Sequence, residues 1–280
     1  MILVADSGST KTHWELYDPA TRAHQAIYTD GISPFYRTED EIYNVLQAEL
    51  FPQMQEKVPR SIFFYGTGCS QPDKVARVAN ALQRAFPAAS VMVDHDLMGA
   101  AVATCGDQAG IACILGTGSN SCLFDGRKIV DNVPSLGFIL GDEGSGAHLG
   151  RKLLQAYYYR EFPAELAAKI KQEYNMDKAT VLNHVYDEPM PSQFVATFAK
   201  FISDNNQHPY MHQLLFDCFT EFLTRMVLKY EGALGLPVHF IGSIAELNQA
   251  VLFKAMDRLN LKQGAILKSP MDGLLKYHTA

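Results

Sequence analysis

Two glycine–hydroxyl loops carry the residue types that a phosphate chain needs. The first is Asp6-Ser7-Gly8-Ser9-Thr10-Lys11-Thr12, directly after the apolar run Ile2-Leu3-Val4-Ala5. The second is Gly116-Thr117-Gly118-Ser119-Asn120, after Ile111-Ala112-Cys113-Ile114-Leu115. A glycine turn between two strands exposes backbone N–H groups beside hydroxyls, which suits phosphate oxygens. A shift of 110 residues sets Gly8 on Gly118, Ser9 on Ser119, Ser7 on Thr117 and Trp14 on Phe124. Two such loops facing one another would clamp a nucleotide triphosphate. Only the first carries an acid, and Asp6 at a strand end suits a hydrated Mg2+, which keeps most of its waters and takes few carboxylates. The plain alternative is a strand turn, since Asp, Ser and Gly favour turns. The repeat in order favours a ligand.

Asp96 is the candidate general base. It follows the apolar run Val91-Met92-Val93 and opens a small-residue helix, where a carboxylate can take the proton of an attacking hydroxyl. An Asp in that place can equally cap the helix. Asp94, His95 and Asp96 make a poor metal set, because alternate strand residues share a face and His95 points away. In Gly141-Asp142-Glu143-Gly144-Ser145, two acids beside glycines could grip sugar hydroxyls, or could simply favour a helix start. Gly242-Ser243 at a strand end permits close approach of a flat ring such as adenine, or marks a turn. His208 and His212 have a metal-site spacing, but Pro209 starts a helix there and no acid partner is near, so metal binding is not expected.

The elements that must position these residues can be read from apolar runs and turns. Ile2–Ala5, Thr12–Tyr17 and a strand near 23–28 form a meander; Ser61–Tyr65 and Val91–Val93 are further strands. Helices are expected over 38–50, where Thr38 and Glu41 make a capping box, over 72–86 and over 97–104. The second half repeats the meander at 111–115, 121–124 and 127–130, with an Asp125-Gly126 turn. It then becomes helical over 145–159, 164–174, 191–205 and 209–231. Strands 238–241 and 265–267, a helix at 246–258 and a short terminal helix close it. Residues 1–107 and 108–280 form two domains in this reading, with a helical insertion in the second and the terminal helix returning toward the first. The fold class is α/β.

Composition bounds the function. The 280 residues are 48% hydrophobic and 19% charged, as expected of a globular chain with a substantial core. A net charge of −6 argues against nucleic acid or an anionic membrane as partner. Cys69, Cys105, Cys113, Cys122 and Cys218 show no Cys-x-x-Cys spacing, so buried reduced thiols are expected. With no signal-like N-terminus and no long apolar run, a cytoplasmic protein is expected.

The motifs together resemble the BadF/BadG/BcrA/BcrD-type ATPases, and within them the N-acetylglucosamine kinases of the sugar kinase/Hsp70/actin superfamily. The resemblance rests on Asp6-Ser-Gly-Ser-Thr-Lys-Thr, Asp96-Leu-Met-Gly99, Leu115-Gly-Thr-Gly-Ser-Asn120, Gly137-Phe-Ile-Leu-Gly-Asp-Glu-Gly-Ser145 and Ile241-Gly-Ser-Ile-Ala245. It implies a duplicated ribonuclease-H-like fold with ATP and Mg2+ in the interdomain cleft. Asp6 would sit by the metal and Asp96 would be the base toward a sugar hydroxyl. Gly242 and Ser243 would face adenosine. Ser119, Asn120, Asp142, Glu143 and Ser33, the last within Gly31-Ile32-Ser33-Pro34-Phe35, would bind an amino sugar such as N-acetylglucosamine. Homodimer formation stays open. Ser7 and Ser9 stand where the family carries glycines, and Pro134-Ser135-Leu136 stands where Gly-Gly-Trp is common. Two other functions suit the same motifs: an ATPase that activates a partner enzyme, and a sugar-binding regulator without turnover.

Overall fold

The computed structural model describes residues 1–279, which divide into two compact units. The first comprises Met1–Asp107 and the stretch from Pro270 onward; the second is Gln108–Ser269. In the first, β1 (Ile2–Ser7), β2 (Lys11–Tyr17) and β3 (His24–Asp30) form the antiparallel meander, and β4 (Ser61–Gly66) and β5 (Ser90–His95) run parallel to β1. The sheet order is β3-β2-β1-β4-β5. Helices α1 (Glu39–Val45), α2 (Phe51–Met54) and α3 (Pro72–Ala85) accompany it, and a π turn at Leu46–Leu50 joins the first two. Leu3, Ala5, Ile62 and Phe64 meet the apolar side of this helical layer in one core. Helix α4 (Asp96–Cys105) follows β5.

The second unit repeats the plan. Strands β6 (Ala109–Leu115), β7 (Ser119–Asp125) and β8 (Ile129–Asp131) are antiparallel neighbours, and β9 (Pro237–Ile241) and β10 (Lys262–Leu267) are parallel to β6. The order β8-β7-β6-β9-β10 is that of the first sheet. Between β8 and β9 lie α5 (Gly137–Leu140), α6 (Gly146–Tyr158), α7 (Ala164–Glu173), α8 (Lys178–Tyr186), α9 (Pro191–Asp204) and α10 (Pro209–Arg225). Helices α11 (Ser243–Leu247) and α12 (Gln249–Arg258) precede β10, and α13 (Met271–Thr279) ends the chain. The α13 helix packs on α4, β1 and β2 of the first unit. Two five-stranded sheets of the same order make this a duplicated ribonuclease-H-like fold.

The details differ from the expected elements in three ways. Helix α8 lies in a stretch read as connection, capped by Asp177, whose carboxylate accepts from the Thr180 amide at 2.9 Å. The last long helix stops at Arg225 and continues as a short 3-10 turn, not as α-helix to residue 231. The repeat is one of topology, not of the 110-residue letter match. Ser7 pairs with Thr12 and Leu115 with Ser119, so the first turn holds residues 8–11 and the second only 116–118. Ser119 is therefore the counterpart of Thr12, and Ser9 sits in an open turn. All five cysteines are buried and none forms a disulfide among the described residues, and no helix of the described residues is long and apolar enough to cross a membrane.

Candidate active site

In the first sheet, cross-strand register lines up Asp94, Tyr65, Asp6, His13 and Tyr28 in one row on one face. The row belongs to the face covered by α13, where the His278 ring stacks on Phe63 at 3.7 Å and its Nε2 meets the Tyr65 hydroxyl at 2.9 Å. Alternation forces Ser7, Thr12 and Thr29 onto the opposite face. The Ser7 and Thr12 hydroxyls lie 2.7 Å apart and both take the Ile32 amide, at 3.0 and 3.2 Å. Ser7 also donates to the Ile32 carbonyl, and Thr12 to that of Asp30. Thr12 is fully buried, so its hydroxyl braces the loop from behind and does not offer itself to a phosphate. Neither Ser7 nor Ser9 has a left-handed backbone, so serine replaces glycine in this loop without strain.

The turn itself is open. The Gly8 amide donates to the Lys11 carbonyl at 3.0 Å, while Gly8, Ser9, Thr10 and Lys11 are exposed. Lys11 shares the face of Asp6 and holds its ammonium 3.8 Å above the Tyr28 ring. Gly31 crosses close over the turn: a Cβ there would lie 2.4 Å from the Ser9 carbonyl. That crossing delivers Ser33, which is buried with an Oγ that has no partner among the described residues. A buried hydroxyl left unpaired calls for a ligand or a water.

Asp96 is the first residue of α4, and its neighbour His95 is the cap, taking the Met98 amide on Nδ1 at 3.2 Å. Asp96 is thus released from the capping role that its position suggested. The half-buried Asp96 carboxyl acts on Asp6 through its charge. Burial first, then the Asp96 charge, pushes Asp6 up to about 7. Burial also raises Asp96, against the opposing effects of His95, the Leu97 amide at 2.9 Å on Oδ1, and the Thr67 hydroxyl. Thr67 gave no signal in the sequence. It follows β4, donates its amide to the Ser7 carbonyl at 2.9 Å, and so stands beside both loop one and Asp96.

The second unit gathers loop two, the Gly141–Ser145 loop and Gly242. The first two amides of α6 donate to loop two: Gly146 to the Gly116 carbonyl at 2.8 Å and Ala147 to that of Thr117 at 3.0 Å. The Asp142 carboxylate lies against Gly118, where a Cβ would come within 3.0 Å of Oδ2. Asp142 has a left-handed backbone, φ 57°, which is costly for a residue with a Cβ and recurs at functional sites. Its Oδ1 accepts from the Ser135 hydroxyl at 2.8 Å. Ser135 thus supports Asp142 from the segment where the family tryptophan is missing. Glu143 is buried and pairs with Arg225 at 3.0 Å.

Ser119 and Asn120 are adjacent on β7 and so point to opposite faces; Ser119 is buried, and Asn120 Oδ1 accepts from Asn132 Nδ2 at 3.2 Å. Thr117 is exposed at the tip. Gly242 has φ 121°, and a Cβ on it would sit 2.3 Å from the Leu115 carbonyl. Glycine is needed there for the backbone of β6, whatever lies outside; exposed Ser243 follows beside loop two. His208 and His212 do not converge on a metal: His208 pairs with Glu165 at 3.0 Å and His212 meets Lys254 at 3.1 Å.

The structure is similar to a candidate N-acetylglucosamine kinase from Porphyromonas gingivalis, with 43% identity, 100% of this chain and 99% of that one covered, and a TM-score of 0.94. A candidate N-acetylglucosamine kinase from Chromobacterium violaceum shares the fold at 19% identity and TM-score 0.77, over 99% and 98% of the two chains. So does a ROK family glucokinase from Streptomyces griseus, solved with glucose and AMPPNP, at 13% identity and TM-score 0.56 over 98% and 97%. No family model matches the chain. Fold and site define a sugar kinase of the actin-like ATPase superfamily, a phosphotransferase with an alcohol acceptor. The chain belongs to the family of the N-acetylglucosamine-kinase-like sugar kinases.

Proposed function

We propose that the protein is an ATP-dependent amino-sugar kinase that phosphorylates the 6-hydroxyl of N-acetylglucosamine or a close relative. The observation that carries this reading is the pair Asp6 and Asp96, two half-buried carboxyls near the same end of one sheet, on β1 and just after β5. Burial makes both costly to ionise, and the charge of Asp96 adds to that cost at Asp6. Two acids whose ionisation burial makes costly suit a divalent cation, and Asp6 would hold Mg2+ through its waters. Bound Mg2+ would neutralise charge on the phosphates of ATP.

The remaining roles belong to the chain. The exposed turn of Gly8, Ser9, Thr10 and Lys11 presents hydroxyls and a cation to phosphate oxygens, with Thr12 bracing it. Thr117 and Gly118 do the same in the second unit, and Gly242 and Ser243 flank the adenosine. Ser33, Asn120, Asp142 and Glu143 orient the sugar, while buried Ser119, the counterpart of Thr12, braces loop two. Asp96 accepts the proton of the sugar hydroxyl while that oxygen bonds to the γ-phosphorus. The bond from the γ-phosphorus to the bridging oxygen breaks, and ADP carries away the electron pair. A carboxyl raised by burial is a better base near neutral pH than an exposed one.

An amino-sugar panel with ADP release and product identification tests the reading. Transfer to a 6-hydroxyl is expected. Turnover on no sugar, with folded protein and Mg2+ present, overturns it, and tight sugar binding without transfer would instead mark a regulator. Asp96→Asn should keep ATP affinity within about twofold and lose ~10²–10⁴ in kcat. Near-parental turnover in that variant removes Asp96 from the role of base.

A further inference from the structure

Behind the Gly141–Ser145 loop runs a circuit of charged and polar groups anchored on α10. Glu143 Oε1 accepts from Arg225 Nη1 at 3.0 Å. The other nitrogen of the same guanidinium, Nη2, reaches Glu221 Oε1 at 2.9 Å, one helical turn back. Glu221 directs its second oxygen toward His148 Nε2 at 3.6 Å. His148 is buried, and its Nδ1 accepts the Gly144 amide at 3.0 Å. The circuit therefore leaves the loop at Glu143 and returns to it at the next residue.

The tautomer follows from the bonds. Since Nδ1 accepts, Nε2 carries the proton of a neutral ring and faces the carboxylate. Burial keeps the ring neutral, with its pKa pushed down to about 4. The loop needs such support, because its backbone is left-handed at both Asp142 and Gly144, with φ of 57° and 72°. The α10 surface also closes over Gly144, where a Cβ would come within 2.9 Å of Phe222. Arg225 is itself largely open to solvent, whereas Glu143 is enclosed, so the pair orients the carboxylate more than it stabilises the fold.

We infer that Arg225 is a positioning residue for sugar recognition: backed by Glu221, it fixes the Glu143 carboxylate so that the free oxygen meets a sugar hydroxyl already aligned. The inference rests on the reading of Glu143 as a sugar ligand. A carboxylate held in place binds without the cost of ordering a flexible side chain.

The test compares Arg225→Met and Arg225→Lys in the full chain. For Arg225→Met, the KM and the calorimetric Kd for N-acetylglucosamine should rise about tenfold, while the KM for ATP stays within about twofold. Arg225→Lys should recover part of the loss, because an ammonium still reaches one carboxylate oxygen but cannot fork between two. In a Glu143→Gln background the Met substitution should add little, as expected of two groups acting as one. Hydrogen exchange in the sugar-free protein supplies an arm independent of turnover: the Gly144 and Ser145 amides should exchange several-fold faster in Arg225→Met, with the β6 amides unchanged. Unaltered exchange at these amides overturns the inference, and so does unaltered sugar affinity in a variant of a sugar-binding parent. A parent that binds no sugar overturns the kinase reading, and the exchange arm then decides whether Arg225 holds the loop.

Discussion

Asp6 sets the sharpest residue-scale expectation, because its carboxyl is raised from 3.8 to about 7 by burial and by Asp96. A carboxyl raised on folding stabilises the fold fully below its unfolded pKa and loses that contribution as pH rises through its folded one. Asp6→Asn should therefore melt above the parent at pH 8, by on the order of 1–2 kcal/mol once partial solvent access is allowed for. The gap should close toward pH 4. Calorimetric melts across that range check it, and a gap independent of pH would mean that Asp6 titrates like an exposed acid. Asp142 offers a second test at this scale. Its left-handed φ suits glycine, so Asp142→Gly should exceed Asp142→Ala in stability by about 1 kcal/mol in urea melts. Both should weaken sugar binding, since both remove the carboxylate that Ser135 holds. Equal stability of the two variants would show that the φ carries no strain.

At the scale of elements, Gly31 is the critical joint of the first loop. A methyl group there must displace the Ser9–Thr10 backbone, with atoms as near as 2.4 Å. Gly31→Ala should cost roughly 1–3 kcal/mol and loosen the turn; chemical denaturation and ATP affinity read the two effects. Wild-type stability in that variant would mean that the crossing has room. The sheets were legible in the amino-acid sequence because their apolar runs are short, bounded by turns and repeated in both halves. Helix α8 was not, since Val181 is its one buried residue and no periodic face marks it. The hydroxyls of the first loop were visible as a group, but not their division into an open turn and a buried brace. That division follows from strand alternation once Ser7 is known to pair with Thr12. Asp96 was legible from its place between a strand and a helix. Arg225 was not, because it meets Glu143 from 82 residues away.

For the molecule as a whole, the return of α13 to the first unit matters most. Gly273 lies so close to α4 that a Cβ would sit 2.2 Å from the Ala103 carbonyl, and Phe63 and Tyr65 are covered by His278. Ending the chain at Ser269 should therefore speed hydrogen exchange in β4 and α4 while leaving β6 and β9 near parental values. Equal protection in the first unit would show that α13 adds nothing to it. The same return has a consequence for how the protein is made. Synthesis proceeds from the N-terminus, and domains commonly fold as they emerge. Here the earliest strands must wait, one apolar face open, while the whole of Gln108–Ser269 is translated. Helix α13 is made only after Gln108–Ser269, so the unit that begins to emerge first is completed after the second has been translated.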